Sequence, residues 1–283
     1  METSIEIWDL DVLDAVEPAL VLGAPPPAPP APAARRGKKG RTARGVNPAA
    51  HTDAVMGLAW NPGFRNVLAS SSADGSVKVW DVATGACEHT LRHHSSKVQA
   101  LAWCPASAPV LLTGAYDRTA AVVDARAPAA VARFALPGDC EALCWVAGSA
   151  GGHSFAVTSD TGSLTAWDTR QPAAPLFECA AHPKAACGVA SCSAAPGLMA
   201  TCGLDKTTAL WDTRGAAPSL LARKDLRVGA AFCAAFAASA PSLLAVAGGR
   251  GTVTVWDVAE DEAVGAAFPA LRKAGGERNA TMV

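Results

Sequence analysis

Short apolar stretches alternate with turn-forming residues along most of the chain, and the first complete example spans residues 54–91. Residues 54–60 are predicted to form a strand, residues 61–66 a turn and residues 67–72 a second strand. A tight turn at residues 73–76 leads to a third strand at residues 77–81, and a fourth follows near residues 87–91. The pattern therefore predicts a unit of four short strands.

This four-part pattern returns four more times, which predicts five complete units in one repeated domain. The later units cover residues 98–134, 142–177, 188–221 and 230 to about 268. Ahead of them, residues 5–9 are predicted to be a third strand and residues 19–22 a fourth. The unit at the N-terminus is therefore expected to lack its opening half, so that residues 1–22 form a partial unit.

A tryptophan followed by aspartate ends the third strand at a regular interval. Successive positions are separated by 43, 44, 44 and 45 residues: Trp80, Val123 in place of a tryptophan, Trp167, Trp211 and Trp256. A period of about 40 to 45 residues with a terminal Trp-Asp is typical of four-stranded propeller blades. The spacing therefore predicts an all-β propeller.

A second spacing supports the first in three of the units. A histidine lies 29 residues before the tryptophan position and an aspartate 6 residues before it: His51, His94 and His182, with Asp74, Asp117 and Asp205. Two offsets kept across three repeats are far more specific than one dipeptide.

Composition is consistent with a packed domain in a reducing compartment. Half of the 283 residues are hydrophobic and 17% are charged, which argues against wholesale disorder. The nine cysteines include no Cys-x-x-Cys pair, and they are interpreted as small buried apolar residues. No basic region leads into an apolar run at the N-terminus, so a secretory signal is not expected.

Residues 23–50 have a different chemistry and are predicted to be a linker. A proline and alanine tract at residues 25–32 precedes a basic cluster of Arg35, Arg36, Lys38, Lys39, Arg41 and Arg44. Without these six positive charges the net charge of −1 falls to −7. The cluster predicts either a nuclear targeting or nucleic-acid segment, or a solvated spacer.

These motifs resemble the WD40-repeat propeller family. In such blades the histidine, a serine or threonine on the second strand, the aspartate and the tryptophan form a buried polar chain. The resemblance assigns this role to His51, Ser70, Asp74 and Trp80, to His94, Thr113 and Asp117, and to His182, Thr201, Asp205 and Trp211. A hydrolytic triad is the alternative interpretation, but a triad needs one exposed nucleophile in a cleft, not a set repeated from blade to blade.

The resemblance implies a WD40 β-propeller of five complete blades at residues 51–268 and a partial N-terminal blade. Residues 269–283 are expected to be a flexible tail. A narrower resemblance, to the periodic tryptophan protein 1 family, covers nearly the whole chain, including residues 5–18, 51–55 and 65–70. Members of that family carry an acidic region and further strands ahead of the segment around Trp8, so incomplete ring closure is expected here.

That family is nuclear and nucleolar and acts in ribosome biogenesis, in ribosomal RNA processing and large-subunit precursor assembly. The resemblance therefore implies a non-enzymatic scaffold with pre-ribosomal proteins and pre-ribosomal RNA as candidate partners. Chromatin is a further candidate, through regulation of ribosomal gene transcription. A substrate receptor of a cullin-RING ubiquitin ligase is the alternative, because residues 167–170 and 211–214 both read Trp-Asp-Thr-Arg. The sequence offers no phosphate-cradling loop or metal-ligand spacing, so no cofactor, small-molecule substrate or membrane is expected.

Blade geometry also predicts a partner-binding face. The connection before the first strand and the turn between the second and third should open on one side of the ring. Three blades then supply two basic residues each to that face: Lys97 with Arg118, Lys184 with Lys206, and Arg227 with Arg250. The other two place Asp53 with Gly75 and Asp139 with Thr161 there, so a lopsided basic crescent for an acidic partner is expected.

Overall fold

The structure is a computed structural model, and it describes residues 3–12, 17–23, 49–127 and 130–271. The described residues are almost entirely β, in six separate antiparallel sheets. The prediction of an all-β fold of repeated antiparallel sheets is confirmed. No helix in these ranges is long and apolar enough to cross a membrane.

Four sheets have four strands each, hydrogen-bonded in chain order, and we call them blades 1 to 4. Blade 1 contains β3 (Val55–Trp60), β4 (Val67–Ser72), β5 (Val77–Asp81) and β6 (Ala86–Leu91). Blade 2 contains β7 (Val98–Trp103), β8 (Val110–Ala115), β9 (Thr119–Asp124) and β10 (Ala130–Ala135). Blade 3 contains β11 (Cys140–Trp145), β12 (Ser154–Ser159), β13 (Ser163–Asp168) and β14 (Phe177–Ala180), and blade 4 contains β15 (Ala186–Ser191), β16 (Leu198–Gly203), β17 (Thr208–Asp212) and β18 (Ser219–Lys224).

The core lies between neighbouring blades, which are joined by apolar packing and not by a shared ladder. First strands of successive blades are neighbours, so they form the inner wall of the ring. Between blades 2 and 3, Phe134 stacks edge-on against Phe155 at 4.9 Å and Trp167 at 5.5 Å between ring centroids. Such aromatic contacts stabilise beyond the area that they bury.

Each first strand carries a β-bulge at its second residue. The residues set outside the ladder are Met56, Gln99, Glu141, Cys187 and, in blade 5, Phe232. A bulge bends the strand and redirects the extra side chain. Five side chains of different chemistry are thereby presented at the inner end of the blades.

The partial blade predicted at the N-terminus is a two-stranded sheet. Its strands β1 (Ile5–Ile7) and β2 (Leu20–Leu22) pair in antiparallel fashion. Ile5 and Leu22 are buried against Leu68 and Trp80 of blade 1. Among the described strands, β2 alone pairs with β1, so the other edge of β1 is free.

Blade 5 corrects the expectation of five complete blades. In the described part of the chain it has three strands, β19 (Ala231–Ala237), β20 (Ala240–Gly248) and β21 (Val253–Asp257). A 3-10 turn at Val258–Glu260 and helix α1 (Glu262–Ala267) follow where a fourth strand was expected.

Local sequence explains why a helix forms there. Asp261 caps α1 by accepting a hydrogen bond from the Ala263 N–H at 3.2 Å, which is a common way to begin a helix. Val264, Phe268 and Leu271 follow at helical spacing and are buried in the core of blades 4 and 5.

Candidate functional site

In blade 1, hydrogen bonds link four side chains into the predicted polar chain. His51 Nδ1 lies 3.2 Å from Asp74 Oδ2, and His51 Nε2 lies 2.7 Å from Ser70 Oγ. Trp80 Nε1 donates to Ser70 Oγ at 2.9 Å. An ionised carboxylate can only accept, so His51 donates through Nδ1 and its Nε2 accepts from the Ser70 hydroxyl. Each hydroxyl or ring nitrogen in the chain is therefore satisfied.

Blade 4 repeats this arrangement with a threonine in place of the serine. His182 Nδ1 lies 3.0 Å from Asp205 Oδ1, and Nε2 lies 2.9 Å from Thr201 Oγ1. Trp211 Nε1 donates to the same hydroxyl at 2.9 Å. Arg223 covers the chain and donates to the Ala181 carbonyl at 2.6 Å.

Blade 2 keeps the chain although Val123 stands in the tryptophan position. His94 bonds Asp117 through Nδ1 at 3.0 Å and Thr113 Oγ1 through Nε2 at 2.9 Å. His93 Nε2 lies 2.8 Å from the same hydroxyl and donates the bond that an indole donates in blades 1 and 4. His93 Nδ1 has no partner and is buried, as expected for a neutral ring protonated at Nε2.

Sequence reasoning missed His93. The available signal was a histidine doublet at residues 93–94 in the one repeat where valine replaces tryptophan.

Burial keeps these histidines neutral. It lowers the pKa of His51, His94 and His182, and the adjacent aspartates offset this only in part. Burial and then the neighbouring His94 ring lower the pKa of His93 to about 4. Burial would raise the pKa of Asp74, but hydrogen bonds from Ser76 and the Thr52 N–H hold that pKa well below its usual value.

These chains are built to hold strands together and not to attack a substrate. Ser70, Thr113 and Thr201 are fully buried, and each accepts a hydrogen bond from an indole or imidazole N–H. A nucleophile without access to solvent or a cleft cannot serve as a hydrolytic triad. Fully satisfied buried chains instead fix one strand arrangement.

Blades 3 and 5 lack the chain. In blade 3 the histidine, hydroxyl and aspartate positions hold Gly138, Val157 and Thr161, and the Trp167 indole N–H has no partner. In blade 5 Arg227 and Arg250 stand at the histidine and aspartate positions.

The six cations predicted for the basic face fall into two groups. Those of blade 2 are already paired: Lys97 Nζ lies 3.7 Å from the centre of the Tyr116 ring, and Arg118 Nε lies 3.5 Å from Asp139 Oδ1. The group of blades 4 and 5, Lys184, Lys206, Arg227 and Arg250, takes part in no side-chain ion pair within the described ranges.

Blade 3 separates the two groups with acidic residues. Asp139 pairs with Arg118, and Glu141 accepts a hydrogen bond from the Tyr116 hydroxyl at 2.8 Å. Burial and the Glu141 carboxylate raise the pKa of that hydroxyl. The predicted crescent is therefore divided, and its unpaired cations lie on blade 4 and blade 5.

Comparison with known proteins identifies the repeats. The model of the WD domain, G-beta repeat, matches residues 46–81 and 85–124, which hold strands β3 to β9, so the predicted WD40 β-propeller is confirmed. The chain contains WD40 repeats. Blade 4 keeps all four of the usual polar residues. Blades 3 and 5 lack the polar chain, and blade 5 has three strands in the described residues.

Similar proteins extend over most of the chain. An uncharacterized WD repeat-containing protein of Schizosaccharomyces pombe is 35% identical over 94% of this chain and 50% of its own length. Periodic tryptophan protein 1 of Saccharomyces cerevisiae is 28% identical over 94% of this chain and 49% of its own. The Drosophila melanogaster homolog is 27% identical over 88% and 51%. This WD40-repeat chain thus spans about half the length of these relatives.

The Trp-Asp-Thr-Arg motifs are engaged within their own blades. Arg170 Nη2 lies 2.6 Å from Asp168 Oδ2, and Arg214 Nη2 lies 2.6 Å from Asp212 Oδ2. The Arg170 guanidinium holds the pKa of Asp168 at about 2. Arg214 also stacks 4.1 Å from the centre of the Phe268 ring, beyond α1. These arginines have structural partners, and nothing in the comparisons supports the ligase alternative.

The basic cluster of residues 35–44 lies outside the described residues, so its targeting role stays a prediction. In the described part of the chain no group of three or more His, Cys, Asp or Glu side chains could hold a metal ion.

Proposed function

We propose that this WD40-repeat chain is a non-enzymatic scaffold in ribosome biogenesis, supporting ribosomal RNA processing and large-subunit precursor assembly in the nucleus and nucleolus. The similarity to periodic tryptophan protein 1 over 94% of the chain carries the proposal. The separate blades favour a scaffold, because rigid loop sets around a ring bind several partners at low ordering cost.

Affinity purification from nuclear extract, with sequencing of bound RNA, tests this role. The scaffold proposal expects large-subunit precursor proteins and pre-ribosomal RNA among the bound components. Recovery of a cullin with its adaptor and without precursors would instead support the ligase alternative, and recovery of neither would leave the proposal without support.

The unpaired cations of blades 4 and 5 are the proposed partner face. Lys184→Glu with Lys206→Glu should weaken salt-sensitive association with precursors, because the charge of an exposed, unpaired cation is available to a partner. Lys97→Glu with Arg118→Glu is the comparison pair, since those cations are already engaged by Tyr116 and Asp139. If the two pairs of substitutions weakened association with precursors equally, the cations of blade 2 and those of blades 4 and 5 would not differ in partner binding.

Nuclear targeting is proposed for the basic cluster of the linker. Replacing Arg35, Arg36, Lys38, Lys39 and Arg41 with alanine should shift a tagged protein toward the cytoplasm. Unchanged nuclear accumulation would reduce the cluster to a spacer. Arg118→Ala, outside the linker, is the control for a nonspecific effect of lost charge.

A further inference from the structure

Blade 5 carries two arginines where other blades carry a buried histidine and its aspartate. Arg227 and Arg250 precede Trp256 by 29 and 6 residues, the offsets of His182 and Asp205 before Trp211. Arg250 Nη1 donates to the Arg227 carbonyl at 3.1 Å. Two cations therefore stand where the other blades have a neutral histidine and an aspartate, and the anionic member is missing from this position.

A third cation converges on the same place from blade 4. Lys206 occupies the position of Gly75 in blade 1 and Gly162 in blade 3, five residues before the tryptophan. A Cβ at Gly162 would collide with the carbonyls of His182 and Lys184, in the connection to the next blade. From the equivalence of the blades we infer that Lys206 lies against the connection that contains Arg227.

Two of these cations have a backbone conformation that is unfavourable for a residue with a side chain. Lys206 has φ 71° and Arg227 has φ 62°, in the left-handed region that glycine adopts readily and other residues rarely do. Gly75, Gly162 and Gly251 hold the position equivalent to Lys206 with φ of 76°, 83° and 70°. A long basic side chain at this position makes the required turn less favourable than glycine would.

The surroundings leave the cluster available to a ligand. Within the described ranges no acidic side chain forms an ion pair with Lys206, Arg227 or Arg250. The nearby Asp225 carboxylate accepts from the Arg227 backbone N–H at 2.7 Å. We call Lys206, Arg227 and Arg250 the blade 5 cation cluster.

An exposed aromatic ring adjoins the cluster. Phe232, the bulge residue of β19, is 53% exposed. Its ring lies against Gly249, next to Arg250, because a Cβ built on Gly249 would be 3.5 Å from Phe232 Cε2. Phe232 therefore lies against the residue that precedes Arg250 in the chain.

We propose that the blade 5 cation cluster and Phe232 bind a short acidic protein segment, with carboxylates on the arginines and an adjacent apolar side chain on the ring. Arg guanidinium groups bind carboxylates in a bidentate geometry. The carboxylates of Asp139, Glu141 and Asp160 on blade 3 would repel a long polyanion crossing the face, so a short segment fits better than RNA. The inference rests on the proposed scaffold role for the origin of the segment.

Fluorescence anisotropy with purified protein tests the inference. The probe is a labelled Glu-Glu-Leu-Glu-Glu peptide, compared with Gln-Gln-Leu-Gln-Gln and with labelled oligouridine of five nucleotides. Lys206→Gly removes a charge and keeps the backbone that sister blades build with glycine, and Arg227→Gly removes a charge at a positive φ that glycine adopts readily. We expect the double variant to weaken binding of the acidic peptide at least tenfold, with Tm unchanged or higher.

Arg118→Gly is the matched control, because Arg118 has φ 59° at the equivalent position of blade 2 but is paired with Asp139. It should leave peptide binding within twofold of the unaltered protein. Equal binding by the double variant, or tighter binding of oligouridine than of the acidic peptide, would overturn the inference. If either result is found while precursors still co-purify with the protein, it would overturn this inference alone and not the scaffold role.

Discussion

At the scale of single residues, the hydrogen bond that a tryptophan indole donates in blades 1 and 4 is donated by a histidine at another position in blade 2. Val123 cannot donate to Thr113, and His93, 30 residues earlier in the chain, supplies the bond. Val123 itself is fully buried. The repeat spacing predicted the chain of His94, Thr113 and Asp117, but it could not predict His93, which lies outside the repeated offsets.

The first prediction concerns this bond. His93→Ala should lower the free energy of unfolding by about 1 to 2 kcal/mol, because the Thr113 hydroxyl loses a donor and a small cavity forms. Val123→Trp should recover part of that loss in the His93→Ala background but destabilise the unaltered protein by overpacking. Urea unfolding of the unaltered protein, the two single variants and the double variant gives a double-mutant cycle. Additive effects would show that His93 does not replace the indole.

A second prediction concerns acid. His51, His93, His94 and His182 have a folded-state pKa below the unfolded value of 6.5, so the unfolded state binds protons first. Their contribution is fully present above pH 6.5 and is lost as pH falls, for His93 down to about 4. The free energy of unfolding should fall between these pH values, and less so in His93→Gln. His89→Gln, at an exposed position, should retain the full slope.

At the scale of elements, strands were predictable where apolar residues stand between turn residues, and the final element was not. The β4 and β5 bounds coincide with the predicted residues 67–72 and 77–81. After Trp256 the repeat rule predicted a fourth strand, but the Asp261 cap and the spacing of Val264, Phe268 and Leu271 favour a helix. Local capping and apolar spacing prevailed over the repeat rule because Val264 in the helix and Phe268 and Leu271 after it are all buried.

The third prediction tests how α1 is held. Arg214→Ala should destabilise the C-terminal segment by about 1 kcal/mol more than Arg170→Ala. Both arginines pair with the aspartate of their own motif, but Arg214 also stacks on Phe268 and donates to the Ala267 carbonyl at 3.1 Å. Limited proteolysis should cut residues 262–271 faster in Arg214→Ala. Equal cutting of the two variants would contradict this role.

At the scale of the whole molecule, the repeat spacing predicts the ring and the half blade, but it does not predict the exposed surfaces that the half blade leaves. A cleft of about 660 Å³ separates β1 from β3 and is lined by residues 4–6 and 54–58. Leu58 of β3 lines this cleft and is exposed, and Trp60 at the end of the same strand is exposed as well. Side-chain exposure depends on which neighbouring strands are present, and that information is absent from a local pattern.

The fourth prediction compares a leucine on this exposed face with a leucine in the core. Leu58→Ser should change the free energy of unfolding by less than about 0.5 kcal/mol, because Leu58 is 54% exposed. Leu68→Ser, on the neighbouring strand, should cost about 3 kcal/mol or more, since Leu68 is 4% exposed and packs on Trp80. A large loss in Leu58→Ser would show that the face is covered in solution.

The scaffold role is tested most directly by sedimentation of nuclear extract that contains the tagged protein. We expect the protein to migrate with large-subunit precursors and to move to the free fraction when Lys184 and Lys206 are changed to glutamate. Migration of the unaltered protein in the free fraction alone, at low salt, would contradict the scaffold role.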